Sequence, residues 1–195
     1  MQRASVLPLR PRVLADLLPG ELVRDVLVVL VTAGLLGVSA QIAFPLPGTP
    51  VPVTGQTFGV LVAGCALGSR RAPIATALYV LLGFVGVPWF AHGTAGWQGP
   101  SSGYLFGFLI CTAVCGRLAE RGSDRTLWRA LPTMLVGECL TFACGVGWLA
   151  LDLHLGAAKA IALGLTPFLA GEAVKLAVAA CVLPATWRLL GRTAR

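Results

Sequence analysis

The long apolar segments of the sequence decide its fold, and the first, residues 26–44, reads VLVVLVTAGLLGVSAQIAF. This stretch of 19 residues has no charge, and about 20 apolar residues in a helix cross the roughly 30 Å hydrocarbon core of a bilayer. Three small residues, Ala33, Gly37 and Ala40, lie on nearly one face of such a helix. Because small residues let membrane helices pack closely, we expect this face to contact a partner helix, in the same chain or in another subunit.

Five further apolar segments follow, at residues 55–68, 72–90, 103–118, 131–151 and 163–183. The chain of 195 residues is 56% hydrophobic and 12% charged, with a mean hydropathy of +0.83. An ordinary soluble domain has about 25% charged residues. A soluble core of this size could not bury so much apolar surface. The pattern therefore predicts an all-α membrane protein with six transmembrane helices.

In this topology, nearly all of the basic residues lie on one side of the membrane. Of the 15 Lys and Arg residues, 13 are arginines, and all of these lie near the termini or in the second and fourth connections. Lys159 lies in an outward connection and Lys175 lies inside the sixth segment. The positive-inside rule places both termini in the cytoplasm, which explains the net charge of +7 without a nucleic-acid partner. We expect cytosolic tails at 1–20 and 191–195 around one membrane domain, 21–190.

The first outward connection, residues 41–54, contains four prolines and is nevertheless apolar. Proline fixes its own φ and has no backbone N–H to donate. An irregular apolar segment at membrane depth is tolerated only where it is buried in protein or lines a cavity. We expect a stiff cap over the outer mouth of the helical bundle, and the alternative is an ordinary rigid loop.

Ionisable residues inside the predicted spans are the candidates for function. Each costs about 2.5–3.5 kcal/mol at the centre of a membrane helix. Glu172 and Lys175 are three residues apart and so share a helical face, which indicates a polar ligand site or a structural ion pair. Glu138 is the third such residue. It could extend toward Arg129, be neutralised by protonation, or take part in proton coupling.

The six cysteines all lie in apolar segments. Cys111 and Cys115 share a helical face, but no histidine or second cysteine pair completes a metal site. We expect free thiols that pack as small apolar side chains, with no bound metal and no cofactor.

Ordered motifs between residues 41 and 175 resemble those of the BioY family. The motifs are QIAFPLPGTPVPVTGQT at 41–57, GVP at 86–88, GPSSGY at 99–104, GWL at 147–149 and PFLAGEAVK at 167–175. The resemblance implies a biotin-binding subunit of an energy-coupling-factor (ECF) transporter in a prokaryotic cytoplasmic membrane. Its partners would be a transmembrane coupling protein and two ATPase subunits. The chain departs from the family at Glu172, where aspartate is usual.

The resemblance also implies a substrate site. Glu172 would accept hydrogen bonds from the ureido N–H groups of biotin, and Lys175 would donate to its ureido oxygen or carboxylate. The rings of Trp148 and Phe168, which lie in glycine-rich contexts, would cover its apolar body. Further contacts are expected from residues of the outward loops and adjacent helix ends, namely Thr49, Val51, Gln56, Phe90, His92 and Tyr104.

Other functions stay open at this point. The chain could capture another vitamin, such as thiamine or riboflavin, transport biotin alone, or serve as a scaffold. An intramembrane hydrolase would need a nucleophile and a base, for which Ser101 or Ser102 with His92 are available. The sequence contains no GxxxxGK[ST] phosphate-binding loop, so any ATP hydrolysis belongs to partner subunits, and we expect no enzyme activity in this chain.

Overall fold

The computed structural model describes residues 12–18, 20 and 22–193, with side chains as far as Leu190. The predicted tails lie largely outside these residues. The elements are α1 (Leu22–Gln41), β1 (Ala43–Phe44), β2 (Val53–Thr54), α2 (Gln56–Phe84), α3 (Ser102–Ala119), α4 (Leu127–Asp152), α5 (Ala157–Gly164) and α6 (Leu169–Thr193). The chain is thus mostly helical, as predicted.

Four helical segments of the described chain are long and apolar enough to cross a membrane. They are Leu22–Gln41, Gly99–Ala119, Leu127–Asp152 and Ala157–Leu190. Large apolar side chains also cover their outer surfaces: Leu35 is 61% exposed, and Val38 and Val174 are each 64% exposed. Water-soluble monomers rarely expose continuous apolar surface of this kind, and such a surface suits contact with lipid.

The long helix α2 reverses direction at Gly68. Gly68 has φ +86° and ψ −179°, a backbone conformation that glycine adopts without steric cost. The reversal is proved by a hydrogen bond of 2.7 Å from Gln56 Nε2 to Tyr79 Oη, because a straight helix would hold these residues about 34 Å apart. The two halves, 56–67 and 69–84, therefore lie side by side, where the second and third apolar segments were predicted.

Helix α3 lies between α2 and α4 and approaches both very closely through glycines. A Cβ atom at Gly116 would lie 2.4 Å from the carbonyl carbon of Gly68, and one at Gly107 would lie 2.8 Å from Thr141 Cα. In a membrane, the association of helices is driven by close packing of this kind rather than by the hydrophobic effect. The reversal of α2 is thus fixed in place by α3.

The first outward connection forms a short antiparallel hairpin. Ala43 pairs with Thr54, and Phe44 pairs with Val53. Between the strands, Val51 is only 6% exposed and packs in one cluster with Phe142, Phe168 and other residues of the bundle. The proline-rich segment therefore folds down onto the helices.

The last predicted segment differs most from the structure. Residues 152–163 were expected to form an outward loop, whereas Ala157–Gly164 is the short helix α5. A 3-10 turn, Thr166–Phe168, joins it to α6, which continues to Thr193. The connection was predicted without this helix, which forms because the alanines of the stretch have the highest helix propensity and the exposed Lys159 among them does not oppose a helix.

Residues before α1 pack against the same end of the bundle as the α2 reversal. A 3-10 turn spans Leu14–Leu17, Val13 is buried, and Asp16 Oδ1 lies 2.7 Å from Arg71 Nη1. Burial would raise the pKa of Asp16, but the hydrogen bonds from Arg71 and from the backbone amides of Val13 and Arg12 outweigh it and lower the pKa. This ion pair ties the N-terminal turn to α2.

Candidate ligand-binding site

A cavity of about 240 Å³ lies beneath the hairpin, between the second outward connection and helices α2, α3, α4 and α6. Its lining combines aromatic and aliphatic side chains with polar groups such as Gln56, Gln98 and Glu172, which suits a small molecule that is partly apolar and partly polar. Seven of the predicted site residues line it: Val51, Gln56, Phe90, His92, Tyr104, Phe168 and Glu172.

Glu172 and Lys175 form a hydrogen-bonded polar cluster at one wall of the cavity. Lys175 Nζ lies 2.5 Å from Glu172 Oε1, and it donates to the Thr54 carbonyl at 2.7 Å and to Thr57 Oγ1 at 2.8 Å. The Thr57 hydroxyl donates in turn to Glu172 Oε2 at 2.7 Å. Since an ammonium group has three donors, all of those on Lys175 are used. The cluster joins α6 to the start of α2.

The two charged residues have different access to the cavity. Glu172 lines it, whereas Lys175 lies behind Glu172 and is absent from the lining. Each carboxylate oxygen of Glu172 accepts one hydrogen bond within the cluster and has a further lone pair. Glu172 can therefore accept an N–H group from a ligand directly, while Lys175 holds the carboxylate in position.

Aromatic rings form the apolar walls. Tyr104 and Phe142 are perpendicular at 5.8 Å between ring centroids, and Phe142 lies 6.0 Å from Phe168. The Tyr104 hydroxyl donates to the Gly164 carbonyl at 2.6 Å, which fixes the ring against α5. The edge-to-face contact between Tyr104 and Phe142 is a favourable arrangement for aromatic groups.

Trp148 and Thr49 lie outside the cavity lining. Trp148 faces α3 at Gly103, where a Cβ atom would lie 2.2 Å from Trp148 Cβ, and its indole Nε1 donates to the Gly99 carbonyl at 3.0 Å. It supports the second outward connection rather than the ligand space. Thr49 Oγ1 accepts a hydrogen bond from the Val51 amide at 3.2 Å, so it stabilises the hairpin turn.

The second outward connection is held by Gln41, which the sequence did not single out. Its Nε2 lies 3.0 Å from the Trp89 carbonyl oxygen and 3.1 Å from that of Phe90, and its Oε1 accepts from the Gly93 amide at 3.0 Å. This side chain therefore positions Phe90 and His92 at the cavity. The one feature of the sequence that pointed to Gln41 was its position at the start of the first loop motif, residues 41–57.

The small-residue face of α1 is used within the chain. Ala33 is 2% exposed and Ala40 is fully buried, and a Cβ atom at Gly37 would lie 3.1 Å from the Trp89 ring. In the structure, α1 packs against α2 of the same chain, and Gly37 contacts Trp89 in the second outward connection.

The pair considered for hydrolysis is not assembled in the described structure. Ser101 and His92 both line the cavity, and no hydrogen bond joins them in the part of the chain that the structure describes. Ser102 Oγ is buried without a hydrogen-bond partner. A serine nucleophile requires an adjacent base, and this arrangement lacks one.

The cysteines are free in the described chain. Cys65, Cys111 and Cys115 are buried, whereas Cys139 and Cys181 are exposed on the outer surface of their helices. Among the described residues, no group of three or more His, Cys, Asp or Glu side chains is arranged to hold a metal ion.

A cavity of this size inside a bundle of membrane helices, with an ion pair fixed at its wall, is the architecture of a membrane protein that binds a small molecule. The sequence profile described as BioY family matches residues 8–192. The chain belongs to the BioY family.

Individual relatives agree with this assignment. The chain is 40% identical over 151 residues to the biotin transporter BioY of Thermotoga maritima, covering 76% of this chain and 86% of that protein. It is 35% identical over 173 residues to the probable biotin transporter BioY of Pyrococcus horikoshii, covering 87% of this chain and 98% of that protein.

A solved structure shares the fold. The crystal structure of the S-component for biotin from an ECF-type ABC transporter superimposes with a TM-score of 0.77 at 20% identity, covering 85% of this chain and 92% of that one.

Proposed function

We propose that the protein captures biotin from outside the cell and is the substrate-binding subunit of an ECF-type transporter. The observation that carries this proposal is the Glu172–Lys175 ion pair, whose carboxylate lies in the wall of a cavity that is also lined by several aromatic rings. The protein belongs to a family of biotin transporters, which supports the choice of ligand.

The cavity offers complementary groups for each part of biotin. The ureido ring carries N–H donors, one of which Glu172 accepts in a charge-assisted hydrogen bond. The rings of Tyr104, Phe142 and Phe168 cover the apolar bicycle. The hairpin residues around Val51 close the space on the outer side.

We further propose that the chain crosses the cytoplasmic membrane six times with both termini inside. The reversal of α2 at Gly68 supports this count, because each half of α2 then forms one short crossing. The positions of the arginines support the orientation.

Release of the vitamin into the cell would require an energy source outside this chain. We expect a transmembrane coupling protein and two ATPase subunits to supply it, since the sequence has no phosphate-binding loop of its own.

The test is equilibrium binding of labelled biotin to the purified protein and to two acid-to-amide variants. Glu172→Gln removes the charge at the cavity wall, and Asp152→Asn is the matched control at the exposed end of α4. Because hydrogen bonds to charged groups contribute about 1.5–3 kcal/mol, we expect Glu172→Gln to weaken binding by about 10- to 100-fold. Asp152→Asn should bind as the parent does. Equal affinity in all three proteins would remove Glu172 from the site.

A further inference from the structure

Glu138 on α4 is a buried carboxyl group without a donor. It is 6% exposed, and neither of its oxygens receives a hydrogen bond from any residue that the structure describes. It faces the interior of the bundle and makes no bond to Arg129. An ionised carboxylate left in this state would be strongly unfavourable, and a buried group of this kind binds a proton instead.

The charged neighbours of Glu138 favour its protonated form in addition to the effect of burial. On α6 it lies next to the Glu172 carboxyl and within electrostatic range of Lys175. On α3 the thiols of Cys111 and Cys115 lie within electrostatic range of Glu138. One ammonium group therefore stands against two carboxyl groups, and the cluster is neutral only if one carboxyl carries a proton.

Glu138 and Glu172 also share a space distinct from the ligand cavity. A second cavity of about 540 Å³ lies between α4, α5 and α6, and both carboxyl groups line it. Its wall on the α5 side is the apolar side chain of Ile161, so within the described residues no titratable group faces Glu138 from that helix. Glu172 and Phe142 line both cavities and thus form the partition between them.

We propose that Glu138 is a neutral carboxylic acid which donates a hydrogen bond to Glu172, and that this proton is required for the protein to bind an anionic ligand. The second half of this inference rests on the proposed function. Loss of the proton to solvent places a second negative charge behind Glu172. That charge competes with Glu172 for Lys175, so Glu172 is held less firmly for the ligand and affinity falls as pH rises.

The protonation state can be read without any ligand, by infrared spectroscopy. The spectrum of the ligand-free protein at neutral pH should contain the C=O stretch of a protonated buried carboxyl group. Glu138→Gln should lack this band, and Asp152→Asn should keep it. Absence of the band from the parent protein overturns the proposal whether or not biotin binds.

A second variant tests whether the proton is set by Glu172. In Glu172→Gln, Lys175 has Glu138 as its one remaining carboxyl neighbour in the cluster, so Glu138 should ionise and the band should disappear. If the band remains in Glu172→Gln, burial alone holds the proton, and its dependence on the charge of Glu172 is refuted.

The consequence for binding is measured as biotin affinity from pH 5 to pH 9. The parent should lose affinity toward the alkaline end, with a limiting slope of about tenfold per pH unit for one proton. Glu138→Gln, which is neutral at every pH and can still donate to Glu172, should bind with a flat profile over this range. A flat profile in the parent, or the same slope in both proteins, overturns the role of Glu138 in binding. Failure of the parent to bind at any pH counts instead against the proposed function.

Discussion

At the scale of single residues, the structure separates groups that can touch a ligand from groups that position them. Glu172 lines the cavity, Lys175 and Thr57 hold its carboxylate, and Gln41 holds the loop that carries Phe90. Sequence reasoning found the charged pair because ionisable residues are rare in membrane helices. It missed Thr57 because this contact joins residues 115 positions apart, and no local pattern reports such a pairing.

Removing Lys175 should affect both stability and binding. In Lys175→Met the Glu172 carboxylate loses its buried counter-ion, and breaking a buried pair from one side costs about 3–5 kcal/mol. We expect a lower unfolding temperature in detergent and weaker biotin binding. Lys159→Met, on the exposed surface of α5, is the control and should leave both quantities unchanged. An unfolding temperature equal to that of the parent would show that the pair is not coupled as described.

Gln41 should matter for binding more than for stability. Gln41→Ala removes the side-chain bonds to Trp89, Phe90 and Gly93, each typically worth about 0.5–1.5 kcal/mol, and releases the second outward connection. We expect faster proteolysis within residues 88–98 and a higher Kd for biotin, with a small change in unfolding temperature. Unchanged protease sensitivity would contradict the assigned role.

At the scale of elements, the apolar segments predicted the long helices well and their connections poorly. Helix α1 and the central parts of α3 and α4 lie where the hydropathy placed them. The proline-rich segment was expected to cap the bundle, and Pro50, Val51 and Pro52 line the cavity. The short helix α5 was missed because membrane-span reasoning looks for long apolar runs, and eight residues are too few to form one.

The contact between α3 and the reversal of α2 provides a test of the packing. Gly116→Ala would place a methyl group 2.4 Å from the Gly68 backbone, and backbone cannot rotate away as a side chain can. Overpacking of this kind costs about 1–3 kcal/mol, so the unfolding temperature should fall. Gly34→Ala in α1, where nothing lies within 4 Å, is the matched control and should be neutral. Equal stability of the two variants would contradict the close crossing.

At the scale of the whole molecule, charge distribution predicts orientation. In a cysteine-free background, Lys159→Cys should react with a membrane-impermeant maleimide added outside intact cells. Arg121→Cys, in the connection between α3 and α4, should react only after the membrane is opened. In the proposed arrangement α4 crosses the membrane between these two positions, so they lie on opposite sides. Labelling of both positions from the same side would therefore exclude it.

The proposed function depends on one property of the molecule, which is that the cavity beneath the hairpin binds biotin. The most direct measurement is calorimetric titration of the purified, folded protein with biotin, with thiamine and riboflavin as controls. We expect saturable binding of one biotin per chain and no binding of the other two vitamins. Absence of biotin binding in folded protein, or saturable binding of thiamine or riboflavin in its place, would contradict the proposed function.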